Sequence, residues 1–322
     1  MALMNKLFEI KNLSMRYPVT DGILGNVKGY VHALSGINID IYENEILGLA
    51  GESGSGKSTL GNCILKLIQP SSGEVLFRGC DILKKTHNQL KDFRRSAQII
   101  FQNPYMSLNP RMKIFDILKE PLIIHNMTEN AEEKIINIIQ SAGLEKDALS
   151  RYPDEFSGGQ RQRIAIARAL MLKPEFIAAD EPVSALDVSI QAQIVNLLIN
   201  LKQEMKFSML FISHDLSVIK YISDRTAVLY LGEIAEIAPK DEFFNNHKHP
   251  YAAALLDAVP VIAKKRNKSR VILRNDLPSP LSPPAGCKFH TRCPFAFERC
   301  LKEHPELKEI SPGHKVRCFL HQ

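Results

Sequence analysis

The chain has 322 residues, of which 45% are apolar and 24% are charged. This is an ordinary globular composition, long enough for one large domain with an appendage or for two domains. No apolar run approaches the roughly 18 residues that span a bilayer. The first residues also lack the sustained apolar core of a signal peptide. The expected compartment is therefore the cytosol, where disulfides are rare.

The net charge of +6 is unevenly distributed along the chain. Residues 246–322 contain 14 Lys and Arg against 6 Asp and Glu, a balance of +8, whereas residues 1–245 have a balance of −2. A basic tail of this kind indicates contact with nucleic acid or with an anionic membrane surface. A solvated basic linker is the alternative interpretation.

Strand-like and helix-like segments alternate through the first 245 residues. Short apolar or alternating runs predict strands, at INIDIY (37–42), EILGLA (45–50), EVLFRG (74–79), AQIIFQ (97–102), EFIAAD (175–180) and SMLFIS (208–213). Helical periodicity is seen in LGNCILKLI (60–68), in residues 114–143 with a break at Pro121, in GGQRQRIAIARALML (158–172) and in IQAQIVNLLINLKQEM (190–205). This alternation predicts an α/β fold, with a mostly parallel core sheet and helices on its faces.

The pattern changes after a predicted hairpin, TAVLYLGEIAEIA (226–238), which turns at Gly232. The segment AKKRNKSR (263–270) is basic, and LPSPLSPPAG (277–286) contains four prolines. Such a proline-rich stretch is typical of a stiff linker or of an irregular docking segment. We therefore predict a domain boundary near residue 245.

Residues 51–58, GESGSGKS, fit the phosphate-loop pattern G-x-x-x-x-G-K-[ST] between a predicted buried strand and a predicted helix. Gly54 and Gly56 let the backbone turn its N–H groups onto phosphate oxygens, and the helix N-terminus adds a favourable dipole. Lys57 is expected to reach the β- and γ-phosphates, and Ser58 to ligate Mg²⁺. The residues of this stretch predicted to contact ATP are Gly51, Ser53, Gly54, Ser55, Gly56, Lys57, Ser58 and Thr59.

Two adjacent carboxylates end the predicted strand EFIAAD. Asp180 is expected to hold Mg²⁺, directly or through water, and Glu181 follows at the position where a carboxylate can polarise the attacking water. An Asp–Glu pair alone is usually a solvated strand end. Beside the phosphate loop and the motif described next, the pair indicates a catalytic site.

A second helix start suited to phosphate lies in FSGGQ, at Ser157, Gly158, Gly159 and Gln160. A chain with one nucleotide site does not need two such helix starts in cis, whereas a symmetric or pseudo-symmetric pair of chains does. With these motifs in this order, residues 1–245 resemble the ATP-binding subunits of ABC transporters, whose most specific mark is SGGQ. The resemblance implies an ABC-type P-loop ATPase domain over 1–245, with an antiparallel β subdomain and a helical subdomain at about 104–168.

The resemblance also implies roles for single residues. Gln102 in FQNP is similar to the Q-loop residue, which contacts the metal or the attacking water and couples to the membrane partner. Asp187 in SALD resembles the D-loop aspartate that links two active sites, and His214 in FISHD resembles the switch histidine that contacts the γ-phosphate. Tyr17 resembles the aromatic residue that stacks on adenine. ATP and Mg²⁺ are the implied cofactors, and the signature residues that serve the nucleotide of the facing subunit are Ser157, Gly158, Gly159 and Gln160.

Nearly the whole chain resembles one subfamily. The long early loop PVTDGILGNVKGYV (18–31) and the tail segments HPYAAALLDAVP (249–260) and GCKFHTRCPFAFERC (286–300) are similar to those of oligopeptide and dipeptide importer ATPases. The loop favours the F-type over the D-type subunit. The resemblance implies an ATPase that powers peptide uptake, peripheral to the cytoplasmic face of the cell membrane. Its implied partners are a D-type ATPase subunit in a heterodimer, two membrane permease subunits contacted by the helices at 114–143 and, indirectly, an extracytoplasmic peptide-binding protein.

Other functions stay open at this point. A soluble ABC ATPase acting on nucleic acid would explain the basic tail, but such proteins usually carry two ATPase units per chain or long insertions. This chain has one phosphate loop and one SGGQ motif, so we expect no nucleic-acid partner. Importers of nickel or another solute share the tail architecture. A non-hydrolysing regulatory subunit is disfavoured because Glu181 and His214 are both present.

Four of the six cysteines lie in the last 36 residues, at Cys287, Cys293, Cys300 and Cys318. Buried thiols, zinc and an iron–sulfur cluster are the competing interpretations. Zinc sites typically use closer C-x₂₋₄-C pairs, and wider spacing suits a larger cluster. The resemblance also favours a [4Fe–4S] cluster, because peptide-importer ATPases can carry one in this tail. We predict a small irregular metal-binding domain over 246–322 with these four ligands. Zn²⁺ is the alternative metal, with His290 and His314 nearby.

Overall fold

The structure, a computed structural model, describes residues 5–21, 26–258 and 277–322. Part of the predicted early loop (22–25) and the basic segment at 263–270 lie outside the described residues. The chain divides into two compact units. The first unit consists of Met1–Asn5, Ile41–Ile46 and Lys84–Ile212. The second unit consists of Lys6–Asp40, Leu47–Leu83 and Ser213–Gln322.

The strands and helices alternate in the described part of the chain much as the sequence predicts. The strands are β1 Lys6–Asp21, β2 Asn26–Tyr42, β3 Ile46–Ala50, β4 Ser72–Phe77, β5 Cys80–Asp81, β6 Ala97–Ile100, β7 Phe176–Asp180, β8 Ser208–Ile212, β9 Arg225–Tyr230, β10 Glu233–Pro239, β11 Lys308–Ser311 and β12 His314–Val316. The α-helices are α1 Lys57–Ile64, α2 Lys91–Ser96, α3 Pro104–Ser107, α4 Ile114–Ile124, α5 Ala131–Ser141, α6 Gly158–Leu170, α7 Val188–Met205, α8 Leu216–Ile222, α9 Lys240–Asn246, α10 Pro250–Ala258 and α11 Glu298–Lys302. Short 3-10 helices lie at Asn88–Leu90, Lys146–Ser150, Pro153–Glu155 and Phe319–His321.

The first unit contains parallel strands and a helical cluster. Strand β7 pairs in parallel with β6 on one side and with β8 on the other. The helices α4, α5 and α6 bury apolar faces against one another, because their apolar residues recur at helical spacing. The centre of this cluster is formed by Ile117, Leu118, Ile135 and Ile164, each at most 2% exposed. The parallel strands and the helical subdomain agree with the sequence prediction.

Pro121 does not break the helical segment, contrary to the prediction. Helix α4 continues through it, because the buried residues Leu118 and Leu122 on either side anchor the helix to the core. This packing offsets the backbone hydrogen bond that a proline cannot make. The interruption comes later, between α4 and α5, where Asn126 and Asn130 adopt left-handed φ values of 56° and 50°. Asparagine tolerates this conformation better than most residues do.

The second unit contains two sheets. In one, β3 pairs in parallel with β9, and the antiparallel strands β10, β12 and β11 follow in that order. The other has the order β2-β1-β4-β5, with antiparallel pairing of β1 with β4 and of β4 with β5. This is the predicted antiparallel subdomain. Most of the early loop predicted at 18–31 is strand in the structure, because β1 extends to Asp21 and β2 begins at Asn26.

The tail contributes to the second unit. Its strand β12 pairs with β10, with Glu236 opposite Val316. In the proline-rich segment, the Pro280 carbonyl accepts a hydrogen bond of 3.0 Å from the His32 N–H. This segment is therefore docked on β2. The domain boundary near residue 245 stays a prediction. Among the described helices, none has both the length and the apolar character needed to cross a bilayer.

Candidate active site

The phosphate loop lies in the second unit, between β3 and α1, as the sequence predicts. Gly56 directly precedes α1 in a left-handed conformation, with φ 105°. The Lys57 side chain is buried and its Nζ donates hydrogen bonds of 2.9 Å to the carbonyls of Gly51 and Glu52. The ammonium group is thereby held over the loop, at the start of a helix whose N–H groups are suited to bind an anion.

The space around Gly51 and Gly56 explains why glycine occupies both positions. A Cβ atom on Gly51 would come within 2.4 Å of the Leu229 carbonyl oxygen. A Cβ atom on Gly56 would come within 2.3 Å of the Ala33 carbonyl oxygen. Both neighbours are backbone atoms, which cannot rotate away. The loop is thus shaped by β9 and β2 of the same unit.

Two further predicted nucleotide-site residues lie in the second unit. His214 is exposed and lies between β8 and α8. Its neighbour Asp215 caps α8 by accepting a 2.8 Å hydrogen bond from the Ser217 N–H, and the Ser213 N–H donates to the Leu49 carbonyl at the end of β3. Tyr17 lies on β1 with 37% of its surface exposed, which leaves its ring accessible for stacking.

The first unit brings together the predicted catalytic carboxylate and the Q-loop glutamine. Asp180 ends β7, and Glu181 follows with a φ of 43°. The Glu181 N–H donates a 3.0 Å hydrogen bond to the Ile212 carbonyl of β8. The Gln102 Nε2 donates to a Glu181 carboxylate oxygen at 3.3 Å. An amide donor therefore already orients the predicted catalytic carboxylate.

The signature motif forms the start of α6. The Ser157 N–H donates to the Gln160 Oε1 at 3.0 Å, and the Ser157 Oγ accepts from the Gln160 N–H, which is a capping box. Ser157 is exposed. Asp187 is exposed directly before α7. A Cβ atom on Gly159 would come within 2.6 Å of the Ile190 side chain, so this glycine permits close packing of α6 against α7.

A cavity of about 240 Å³ lies on the first unit. Arg168 lines it and is held by a 2.7 Å hydrogen bond to the Ser107 carbonyl and a 3.0 Å ion pair with Glu120. Ile124, at the end of α4, also lines the cavity and is 59% exposed. The cavity therefore combines an exposed apolar residue with an ion pair held in a fixed position.

The tail cysteines lie near one another. Burial and the neighbouring thiols raise the pKa of Cys287, Cys293 and Cys318 to about 11 each. Cys300 is buried, and its carbonyl accepts a 2.9 Å hydrogen bond from the Cys287 N–H. In the described ranges, no group of three or more His, Cys, Asp or Glu side chains is suited to hold a metal ion. The predicted metal centre is thus not confirmed.

The other groups predicted to serve the metal have different partners in the structure. The His290 Nδ1 is 2.8 Å from the Cys287 carbonyl oxygen, and the His314 Nε2 is 2.7 Å from the buried Glu236 carboxylate. Basic residues beside the tail cysteines also have acidic partners. Arg292 pairs with Glu52 and Arg299 pairs with Glu303. The sequence offered no signal for the Arg292 contact, because its partner is 240 residues away.

Relatives of the whole chain are known. Residues 34–184 match the family described as ABC transporter, and residues 235–300 match the family described as oligopeptide/dipeptide transporter, C-terminal region. The chain is 47% identical over 320 residues to the oligopeptide transport ATP-binding protein AppF of Bacillus subtilis (strain 168), which covers 98% of this chain and 97% of that protein. It is 46% identical over 319 residues to the dipeptide transport ATP-binding protein DppF of Escherichia coli (strain K12), which covers 98% and 95%.

Solved structures show the same fold. A dimeric post-hydrolysis state of the ATP-binding cassette MJ0796 bound to ADP and Pi is similar with a TM-score of 0.64 and 30% identity, covering 72% of this chain and 98% of that chain. The structure of cbiO1 from Clostridium perfringens is similar with a TM-score of 0.64 and 25% identity, covering 75% and 92%.

Proposed function

The chain belongs to the ABC transporter ATP-binding proteins of the oligopeptide/dipeptide type, and on this basis we propose which of its residues carry the activity. It is the ATP-hydrolysing subunit of a peptide importer, and ATP and Mg²⁺ are its cofactors. The observation that carries this function is the similarity to AppF and DppF along almost the entire chain.

We propose that the nucleotide is bound chiefly by the phosphate loop. Lys57 neutralises the β- and γ-phosphates, while Ser58 and Asp180 hold Mg²⁺. Tyr17 stacks on the adenine ring. What supports these roles is the position of Lys57 over the loop carbonyls and the exposed ring of Tyr17. The loop residues that complete the ATP contacts are Gly51, Ser53, Gly54, Ser55, Gly56 and Thr59.

We propose that Glu181 is the catalytic base that activates the attacking water, and that Gln102 and His214 contact the water or the γ-phosphate. The hydrogen bond from Gln102 to Glu181 supports this assignment. The exposed start of α6 serves a nucleotide on a facing ATPase subunit, and Asp187 links the two sites. That subunit is a homologous D-type chain. The signature residues in this role are Ser157, Gly158, Gly159 and Gln160.

Peptide importers require permease partners, and we propose that the cavity beside Arg168 is where a permease segment docks. Its support is the combination of an exposed isoleucine with fixed charges. The subunit thus works as a peripheral protein at the cytoplasmic face of the membrane, with peptide delivered by an extracytoplasmic binding protein.

An Ile124→Asp variant should lose co-purification with the permease subunits. The matched control is Ile123→Asp, which alters an adjacent residue, 54% exposed, that does not line the cavity. Equal retention of the permeases by both variants would refute the docking site.

The transport function is tested in vesicles that contain the assembled importer. We expect ATP hydrolysis to be stimulated by the peptide-loaded binding protein and to accompany uptake of a labelled peptide. Glu181→Gln in this chain should abolish uptake. Uptake of nickel in place of peptide, with the same dependence on Glu181, would identify a different substrate for the same ATPase.

We propose, on the family resemblance, that the tail cysteines take up a [4Fe–4S] cluster, with Zn²⁺ as the alternative. The proximity of the four thiols supports this, although the described residues contain no group of three or more side chains placed to hold a metal. Anaerobic purification followed by absorption spectroscopy and by iron, sulfide and zinc analysis tests the proposal. A colourless protein with stoichiometric zinc would exclude the cluster, and a metal-free protein would exclude both. The four ligands are Cys287, Cys293, Cys300 and Cys318.

A further inference from the structure

One residue of the phosphate loop, Glu52, is held at all of its polar groups by contacts within the second unit. Its backbone N–H donates a 3.0 Å hydrogen bond to the Tyr251 hydroxyl of α10. Its carbonyl accepts a 2.9 Å hydrogen bond from the Lys57 Nζ. Its carboxylate accepts two hydrogen bonds from the Arg292 guanidinium, of 2.8 Å and 3.0 Å. Two of these three partners come from the last quarter of the chain.

The Arg292 side chain has little freedom to leave this position. It is 6% exposed, and its guanidinium lies 5.9 Å from the centre of the Tyr230 ring. Tyr230 packs against Tyr251 and Phe289, with ring centres 4.7 Å and 5.2 Å away. A bidentate arginine–carboxylate pair fixes direction as well as distance. The tail thus holds the loop through a rigid arrangement.

The ion pair between Arg292 and Glu52 also neutralises a negative charge in the phosphate loop. A carboxylate in a loop that receives the phosphates of ATP repels them unless a cation neutralises it. Lys57 is not available for this, because it binds the loop carbonyls and is the group expected to meet the phosphates. Arg292 is the cation in bidentate contact with Glu52. It therefore removes an unfavourable charge from the nucleotide's surroundings without occupying the site.

We propose that Arg292 is a positioning residue for ATP: the tail neutralises Glu52 in cis and fixes the phosphate loop in the shape that binds nucleotide. The inference rests on the proposed binding of ATP by this loop. It makes the tail part of the nucleotide site in addition to any role in contacts with other subunits. It applies whether or not the neighbouring cysteines bind a metal.

The test is equilibrium binding of Mg-ATP to the full-length chain by isothermal titration calorimetry. Arg292→Gln leaves an unpaired carboxylate beside the phosphates and should weaken ATP binding roughly tenfold. Glu52→Gln leaves an unpaired cation there and should keep or strengthen binding. Arg292→Lys retains the charge but loses the bidentate geometry, so its affinity should lie between wild type and Arg292→Gln. The double variant Glu52→Gln/Arg292→Gln should recover most of the affinity that Arg292→Gln loses, because no unpaired charge remains, and the remaining deficit measures the contribution of the fixed loop geometry.

Arg299→Gln is the matched control, because Arg299 belongs to the same tail but pairs with the exposed Glu303. It should bind ATP as wild type does. In the assembled importer, Arg292→Gln should raise KM for ATP by about the same factor as Kd while changing kcat little, since the residue does not touch the reacting atoms. Thermal unfolding of each variant separates loss of folding from loss of affinity.

A purely structural pair predicts a different pattern. Both single variants would then lower the unfolding temperature and weaken ATP binding to similar degrees, and this result would overturn the inference. Wild-type affinity in a folded Arg292→Gln variant would overturn it too. If Arg292→Gln does not fold, the Glu52→Gln variant still tests the inference. Weaker ATP binding by Glu52→Gln would contradict the charge argument. Failure of the wild-type chain itself to bind ATP would refute the proposed ATP site instead.

Discussion

At the scale of single residues, the conformation of Glu181 is informative. A φ of 43° is uncommon for a residue with a side chain, and such backbone strain is often found at functional sites. The strain is balanced by local contacts, because the Glu181 N–H binds the Ile212 carbonyl and the Glu181 carbonyl accepts a 3.1 Å hydrogen bond from the Ser184 Oγ. The carboxylate is thus aimed by backbone geometry and by Gln102 together.

Replacement of Glu181 should separate ATP binding from hydrolysis. Glu181→Gln retains the shape and the backbone contacts but removes the base, so hydrolysis should fall by about 100-fold or more while Mg-ATP still binds. Lys57→Ala should instead weaken nucleotide binding itself, since it removes the cation that meets the phosphates. Turnover of the reconstituted importer and equilibrium ATP binding measure the two effects. Near-normal turnover by Glu181→Gln would show that another group activates the water.

Gly56→Ala should damage the phosphate loop through a backbone clash. The new Cβ would lie 2.3 Å from the Ala33 carbonyl oxygen, at a φ of 105° that disfavours alanine. We expect a loss of stability of about 1–3 kcal/mol, together with weaker ATP binding. Gly79→Ala is the matched control, because Gly79 has a φ of 75° but nothing lies within 4 Å of its Cβ position. Equal effects of both variants would mean that φ strain alone, without the clash, accounts for the damage.

At the scale of elements, the sequence predicted the strands and helices that have strong periodicity. The predictions of β3, β7, β8 and α6 were correct, because each of these elements is a short buried strand or a long amphipathic helix. The interruption at Pro121 was wrong, because packing of Leu118 and Leu122 outweighs the local effect of proline. The tail strands β11 and β12 were missed. They are short, and the pairing of β12 with β10 depends on a contact of about 80 residues' separation, since Glu236 lies opposite Val316.

The segment between α9 and α10 contains a buried histidine with a perturbed pKa. Burial lowers the pKa of His249 to about 4, with an opposing effect of Glu236 and smaller effects of Arg317 and His321. The His249 Nδ1 accepts a 3.0 Å hydrogen bond from the Tyr251 N–H, which it cannot do when protonated. The folded state therefore requires neutral His249.

The stability of the chain should fall as the pH falls below about 6.5. In that range the unfolded state binds a proton at His249 that the folded state does not bind until about pH 4. We expect this group to lower the free energy of unfolding by about 2 kcal/mol between pH 7 and pH 5. Denaturant unfolding at the two pH values measures the loss. His249→Asn, which keeps an acceptor near the Nδ1 position, should show a smaller loss; an identical pH dependence would contradict the prediction.

At the scale of the whole molecule, the positions of the nucleotide-site motifs were predictable because each follows a buried strand or starts a helix. Lys57, Glu181 and Ser157 lie at such places. The contact between Arg292 and Glu52 was not predictable, since no local pattern joins residues 240 positions apart. The metal site at the tail cysteines, in contrast, stays a prediction. Spacing and composition suggested ligands, but burial of the thiols and the partners of the nearby cations depend on tertiary packing.

Association of the chain with another ATPase subunit should depend on nucleotide. In the proposed arrangement, the exposed start of α6 binds the ATP held by the facing subunit and not the ATP held by its own phosphate loop. Without ATP, sedimentation of the purified chain should show a monomer. With Mg-ATP, the Glu181→Gln variant should sediment as a dimer, with itself or with its homologous ATPase partner, since unhydrolysed ATP holds the two signature motifs across the interface. Ser157→Arg should abolish this dimer while leaving ATP affinity unchanged. Ser141→Arg, an exposed position at the end of α5, should have no effect. A tight dimer without ATP, or a dimer that survives Ser157→Arg, would contradict the assignment of the SGGQ motif to a facing nucleotide.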